Sequence, residues 1–195
     1  MTSECIQLLM SHLSRSTIKH ELEILKEPNL KSAHIYCIIN NITSQQYGNL
    51  LEKFICIKNK FKKNTASKCD GDCYKDKQNF EIKTSLGGSK HNKFNYVQLR
   101  VSHNIQYYIL TAYHLTEKNI ELCGDLYIFK IPKEDMLYII LNYGGYAHGT
   151  FKEHGNITIE NLKDEKNKKE YSIRPLFGDK CWKYIMKFNI SEESL

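Results

Sequence analysis

Asp70-Gly71-Asp72-Cys73-Tyr74-Lys75-Asp76-Lys77-Gln78-Asn79-Phe80-Glu81-Ile82-Lys83-Thr84-Ser85-Leu86 holds two runs of alternating character around a polar pair, Asp76-Lys77. The spacing predicts a hairpin with strands over 72–75 and 79–86 and a two-residue turn between them. In the second run Phe80 and Ile82 share one face while Glu81, Lys83 and Ser85 share the other, because successive side chains of a strand point to opposite sides. A core that takes Phe80 and Ile82 therefore sets the direction of two charges. The same turn pairs Lys75 with Gln78, Tyr74 with Asn79, Cys73 with Phe80 and Asp72 with Glu81, and it lands Asp70 opposite Lys83.

Two carboxylates held face to face, with Cβ atoms roughly 5 Å apart, repel unless a cation lies between them. Mg²⁺ suits that position. It prefers hard oxygens and keeps waters, so Asp72, Glu81 and a backbone carbonyl, that of Ile82, leave positions for a phosphate oxygen and an attacking water. Lys83, beside that water, can lower its pKa or neutralise charge developing on phosphorus. The acid-x-Lys spelling alone says little in a lysine-rich chain. Its other instance, Asp164-Glu165-Lys166, lies in a hydrophilic run without apolar alternation and reads as solvated loop.

Before the hairpin, Thr43 or Ser44 caps a helix running to about residue 61, with Tyr47, Leu50, Leu51, Phe54, Ile55 and Lys58 on one stripe and Glu52 at its polar border. Residues 3–14 and 16–26 carry helical spacing that stops before Pro28, so 1–42 reads as an N-terminal helical segment. After the hairpin, 107–115 and 126–131 read as apolar strands and 133–142 as a helix ending before Gly144-Gly145. The tail offers a strand over 171–174 and a short aromatic helix around Trp182, Tyr184 and Phe188. Helices interleaved with strands make an α/β or α+β core, and the whole of 1–195 reads as one domain.

At Asp72, Glu81 and Lys83 the sequence resembles the PD-(D/E)xK nuclease superfamily, and within it the type II restriction endonucleases, in which an Asp at a strand end precedes a strand bearing Glu-x-Lys. The likeness continues in Thr84-Ser85-Leu86-Gly87-Gly88, in residues 92–100 and in residues 144–150, and spans about 44–185. No proline precedes Asp70 or Asp72, so which acid is the first metal ligand stays open at this level. The resemblance implies a restriction-endonuclease-like mixed β-sheet flanked by helices. It implies site-specific hydrolysis of double-stranded DNA to 5′-phosphate ends, a Mg²⁺ requirement that Mn²⁺ can meet, and a homodimer on a palindromic site. It also implies a helix carboxylate upstream of the hairpin as a metal ligand, and Glu52 occupies that position.

Candidate DNA contacts follow from the same stretches: Ser85 on the Glu81 face, Lys93 and Gln98 in the second stretch, and Tyr146, His148 and Lys152 in the glycine-bracketed segment 144–156. Residues from about 144 to 195 are accordingly expected to form a recognition or dimerisation region. Arg100 and Arg174 stand out because arginine is scarce and its fork suits guanine or phosphate. Each also has a plain structural reading as a surface ion pair, and His103 and His114 read as hydrogen-bonded structural residues.

The 28 Lys and Arg against 22 Asp and Glu leave +6 over 195 residues, which admits a polyanionic partner and equally serves solubility. Seven scattered cysteines lack the paired knuckles of a zinc site and point to a reducing, cytoplasmic setting. The first residues lack a basic n-region, and no apolar run approaches the roughly 18 residues of a span, so neither a signal peptide nor a membrane segment is expected. Two other functions fit the composition. One is a non-catalytic basic nucleic-acid-binding protein with a structural hairpin. The other is a repair or junction-resolving nuclease.

Overall fold

Period-two alternation in Tyr107–His114 sends Tyr108, Leu110 and Ala112 to one side and Ile109 and Thr111 to the other, and all five are buried. A strand buried on both faces requires cover on both. The computed structural model, which describes residues 19–65, 69–87 and 92–195, supplies it in a mixed α/β arrangement. A six-stranded mixed sheet runs β1 (Lys62–Lys63), β2 (Cys73–Lys75), β3 (Gln78–Gly87), β5 (Tyr107–His114), β6 (Asp125–Pro132) and β9 (Asn189–Ile190). β3 and β5 are parallel, and the other neighbours are antiparallel.

Helices α1 (Leu30–Ile39) and α2 (Ser44–Lys58) cover one face, where Leu51, Phe54 and Ile55 meet Phe80, Ile82, Ile109 and Ile128. On the other face Tyr108, Leu110, Phe129 and Ile131 pack with α3 (Lys133–Tyr143), α6 (Lys180–Ile185) and a second, three-stranded sheet. That sheet is ordered β4 (Tyr96–Leu99), β8 (Tyr171–Ile173), β7 (Gly144–Tyr146). Two short helices, α4 (Phe151–His154) and α5 (Ile159–Lys163), join β7 to β8. Each buried aliphatic or aromatic side chain contributes roughly 1.5–3 kcal/mol, so the two cores hold β3 and β5 firmly in the middle.

The expected elements over 44–61, 72–86, 107–115, 126–131, 133–142 and 171–174 all appear, with ends shifted by a few residues. α2 stops at Lys58 because the chain reverses through Lys60 at φ +57°, and the Phe61 N–H returns to the Cys56 carbonyl at 2.8 Å. The expected helix over 3–14 lies outside the described residues, whereas 19–24 of the second are helical. α1 lies within the helical segment expected over 1–42, although the sequence reading gives no separate helix there: its apolar residues run almost continuously without a helical stripe, and Asn29 starts it by accepting the Ser32 N–H at 2.8 Å. Of the second sheet only β8 is anticipated, by the strand expected over 171–174; β4 and β7, of four and three residues, go unseen because they are too short to display a period. No helix among the described residues is long and apolar enough to cross a membrane.

His34 of α1 is fully buried, hydrogen-bonded through Nδ1 to the Tyr47 hydroxyl, 3.3 Å from Thr111 Oγ1 through Nε2 and stacked on Tyr113. Burial pushes its pKa down from the ordinary 6.5 to about 3. A base whose folded pKa is depressed supports the fold fully above its unfolded value, and that support is lost as pH falls from 6.5 toward 3. Denaturant titrations between pH 7.5 and 4.5 should therefore show His34→Gln losing less stability with acid than the wild type. The difference should approach about 1.4 kcal/mol per pH unit below 6.5, and parallel profiles would contradict a buried neutral imidazole.

Candidate active site

β2 has three residues and β3 has ten, so β3 outruns its neighbour. The antiparallel pairs are Lys75 with Gln78, Tyr74 with Asn79 and Cys73 with Phe80, as the turn at Asp76-Lys77 predicts, whereas β5 accompanies β3 from Phe80 to Gly87. Backbone donors on an edge that loses its partner need another acceptor. Asp72 provides it: Oδ2 accepts the Ile82 N–H at 2.7 Å, and the Asp72 N–H donates to the Phe80 carbonyl at 2.8 Å. The chain enters this contact through Gly71 at φ +73°, where a β-carbon would stand 2.6 Å from the Phe80 oxygen. Glycine alone allows that approach without strain. Asp72 is thus clamped to the β3 edge one residue past the last ladder pair, and not squarely across from Glu81 as expected.

Glu81 and Lys83 project from β3 to one side. The Lys83 ammonium donates to Glu81 Oε1 and lies 4.0 Å from Asp72 Oδ2. Glu52 of α2 adds a third carboxylate, with the exposed Lys63 ammonium of β1 at 3.7 Å. Burial holds the Glu52 carboxyl above its ordinary pKa and Asp72 adds to the effect, against the pull of Lys63 and Lys83. Burial likewise raises Glu81, which is 4% exposed, although Lys83 partly offsets it. For Lys83 burial works against the charge, but Glu81 and Asp72 outweigh it, so its pKa is raised and it stays an ammonium. Asp72 and Glu52 also line a cleft of about 420 Å³ beside α2, whose walls include Gln46, Asn49, Lys53 and Asn64.

Among the described residues, no three Asp, Glu, His or Cys side chains form a ready-made metal-binding group. Lys83 takes the place between Asp72 and Glu81 that a cation was expected to fill. The donor chemistry still suits a small hard cation: Asp72 and Glu81 share one largely buried ammonium, Glu52 has the exposed Lys63 beside it, and the donors are oxygens.

Other expected site residues separate on inspection. Asp70 does not meet Lys83; its carboxylate accepts from Asn104 Nδ2 at 3.2 Å because the Cys69 carbonyl is tied to the Asn104 N–H at 2.7 Å. Ser85, expected as a DNA contact, is buried and accepts the Asn95 N–H at 2.8 Å. Tyr146 is likewise buried; it stacks on Tyr171, and its hydroxyl donates to the Gly155 carbonyl, so it anchors the segment that was expected to read bases. Arg174 donates to Asn95 Oδ1, while Lys93, Gln98 and Lys152 are exposed, Gln98 at φ +58° in the irregular β4–β8 pairing. His114 is hydrogen-bonded to Asn92 and stacked on Phe177. Arg100 and His148 converge on Glu170, a residue that the sequence reading passed over because nothing local marks a partner 70 positions away.

Comparison with family models, with curated proteins and with solved structures finds no match to this chain.

The raised Glu52 pKa has a consequence for stability. A carboxyl that keeps its proton to higher pH in the folded chain destabilises the fold as pH rises past its ordinary value, and the full penalty is present above the folded pKa. Glu52→Gln should therefore raise stability at pH 8 by about 0.5–1 kcal/mol, with the gain fading toward pH 4. Urea midpoints for the two proteins at both pH values measure it, and a gain that persists at pH 4 would mean that the ionised, largely buried Glu52 carboxylate is not the source of the penalty.

Proposed function

We propose that this chain is a Mg²⁺-dependent, site-specific double-strand DNA endonuclease of the type II restriction class, working as a homodimer on a restriction-endonuclease-like fold. The observation that carries the reading is the convergence of Asp72, Glu81 and Lys83 at the point where β2 ends and β3 continues, with Glu52 behind them. Asp72, Glu81 and, from the helix side, Glu52 would hold the metal, with the Ile82 carbonyl as a further oxygen. The bound ion would supply Lewis-acid polarisation of the phosphate and a more acidic water.

The chain's own groups have distinct tasks. The Ile82 N–H holds one Asp72 oxygen and leaves the other for a ligand. Lys83, kept protonated, stabilises negative charge on the pentavalent phosphorus and does not act as a base. Its ammonium must leave Glu81 for the phosphate, which frees that carboxylate at the same moment. The 420 Å³ cleft beside Asp72 and Glu52 gives water a way in from the α2 side.

The competing reading, a nucleic-acid-binding protein with a structural hairpin, draws on the Lys83–Glu81 pair, since an acid already neutralised by a neighbour needs no metal. Incubating the protein with plasmid in Mg²⁺ separates the two. Discrete fragments with 5′-phosphate ends are expected, and salt-sensitive binding without cleavage would favour the competitor. Glu81→Ala and Lys83→Ala should each lower cleavage by at least ~100-fold while melting as folded proteins. Asp72→Asn should lose more activity than Asp70→Asn, because the Asp70 carboxylate is turned to Asn104. Equal losses would put Asp70 back into the site.

A further inference from the structure

On the face of the sheet that carries Glu81, a second group of charges surrounds a single carboxylate. Glu170, just before β8, has one oxygen held twice by Arg100, from Nε at 2.7 Å and from Nη2 at 2.6 Å. His148 Nε2 lies 3.3 Å from the other oxygen. A groove of about 480 Å³ runs past them, lined by His148, His154, Lys168, Lys169 and Glu170. The Glu170 carboxylate is paired with Arg100 and His148, while the Lys169 ammonium, on the same groove, donates to the His154 carbonyl at 3.2 Å and lies over the Tyr146 ring. Lys168 is exposed and His148 is 76% exposed, so the positive side of this group is open to solvent while Glu170 is largely covered.

We propose that Arg100, His148 and the lysines of this groove form a binding site for a phosphate group of a polyanion, and that the Glu170 carboxylate is an internal stand-in which the phosphate displaces. The arginine geometry supports this: both fork donors converge on one carboxylate oxygen, an arrangement that a phosphate with more oxygens and more charge can improve by accepting them separately. The location supports it too. The Tyr108 hydroxyl donates to the Arg100 carbonyl at 3.4 Å, and Tyr108 is the β5 partner of Glu81, so the groove flanks the carboxylate cluster on the same face. Identification of the ligand as duplex DNA rests on the proposed function; there, the groove takes a backbone phosphate beside the one attacked. The internal carboxylate then weakens binding of isolated anions and favours ligands that engage both places at once.

Inorganic tripolyphosphate is the probe that tests the groove without reference to cleavage. In titration calorimetry at low salt, Glu170→Gln should bind it about fivefold more tightly than wild type, as expected when a competing charge is removed from a close pair. Adding Arg100→Ala to that variant should abolish the gain. In the otherwise unaltered chain, Arg100→Lys should weaken binding, which keeps the test valid should Glu170→Gln fail to fold. Binding by Glu170→Gln no tighter than wild type, or a gain that survives Arg100→Ala, overturns the proposal. A plasmid assay run in parallel in Mg²⁺ reports on the nuclease reading separately: absent cleavage with the tripolyphosphate gain intact removes the endonuclease and supports the anion site.

Discussion

The structure depends on a backbone donor that lost its strand. Where β2 stops, the Ile82 N–H would face an open edge, and the Asp72 side chain accepts it at 2.7 Å. A buried or half-buried amide left unpaired costs on the order of 1–3 kcal/mol, enough to matter against the total stability of a domain this size. The same bond determines where a carboxylate sits, how far it can move and which of its oxygens is free. Gly71 is the other half of the constraint, since its missing β-carbon is what lets the chain pass against the Phe80 carbonyl. Position of the acid and closure of the sheet edge are one event.

Around that point the charges do not balance. Asp72 and Glu81 share the Lys83 ammonium, Glu52 is left with the exposed Lys63, and burial makes the two glutamates harder to ionise. Such an arrangement stores repulsion in the folded state, and the two cores on either side of β3 and β5 make that tolerable. A surplus of buried acid is costly as architecture and useful as a place for a cation and a phosphate, which is why the site, more than the fold, carries the proposed function. Lys83 is the hinge of that reading: paired with Glu81 it neutralises, and turned to a phosphate it stabilises charge.

The second sheet matters because it brings the C-terminal third of the chain to the same face. β4 leads to Arg100, β7 leads to His148, and β8 begins after Glu170, so three short strands collect groups from distant parts of the sequence into one cluster. Tyr146 and Tyr171 stack at the heart of this small sheet. Segment 144–156 is therefore anchored by an aromatic and presents only part of its polar side chains to solvent.

The amino-acid sequence by itself determined the hairpin, its turn at Asp76-Lys77, the face shared by Glu81 and Lys83, the amphipathic α2 and the strands β2, β3, β5 and β6 of the central sheet, but not its two-residue edge strands β1 and β9. Each is a local pattern: a period of two or 3.6, or a turn residue pair, written within a dozen positions. Tertiary structure alone decided that Asp72 and not Asp70 joins the cluster. The choice turns on Asn104, 34 residues from Asp70, and on a glycine whose value lies in a backbone approach that no spacing rule anticipates. It likewise decided that Ser85 and Tyr146 face inward and that Arg100 meets Glu170, because packing and long-range ion pairing depend on which surfaces the chain happens to bring together. The bounds of α1 and the strands β4 and β7 belong to the same class: one lacks an amphipathic stripe and the others lack length, so only burial against the rest of the chain defines them.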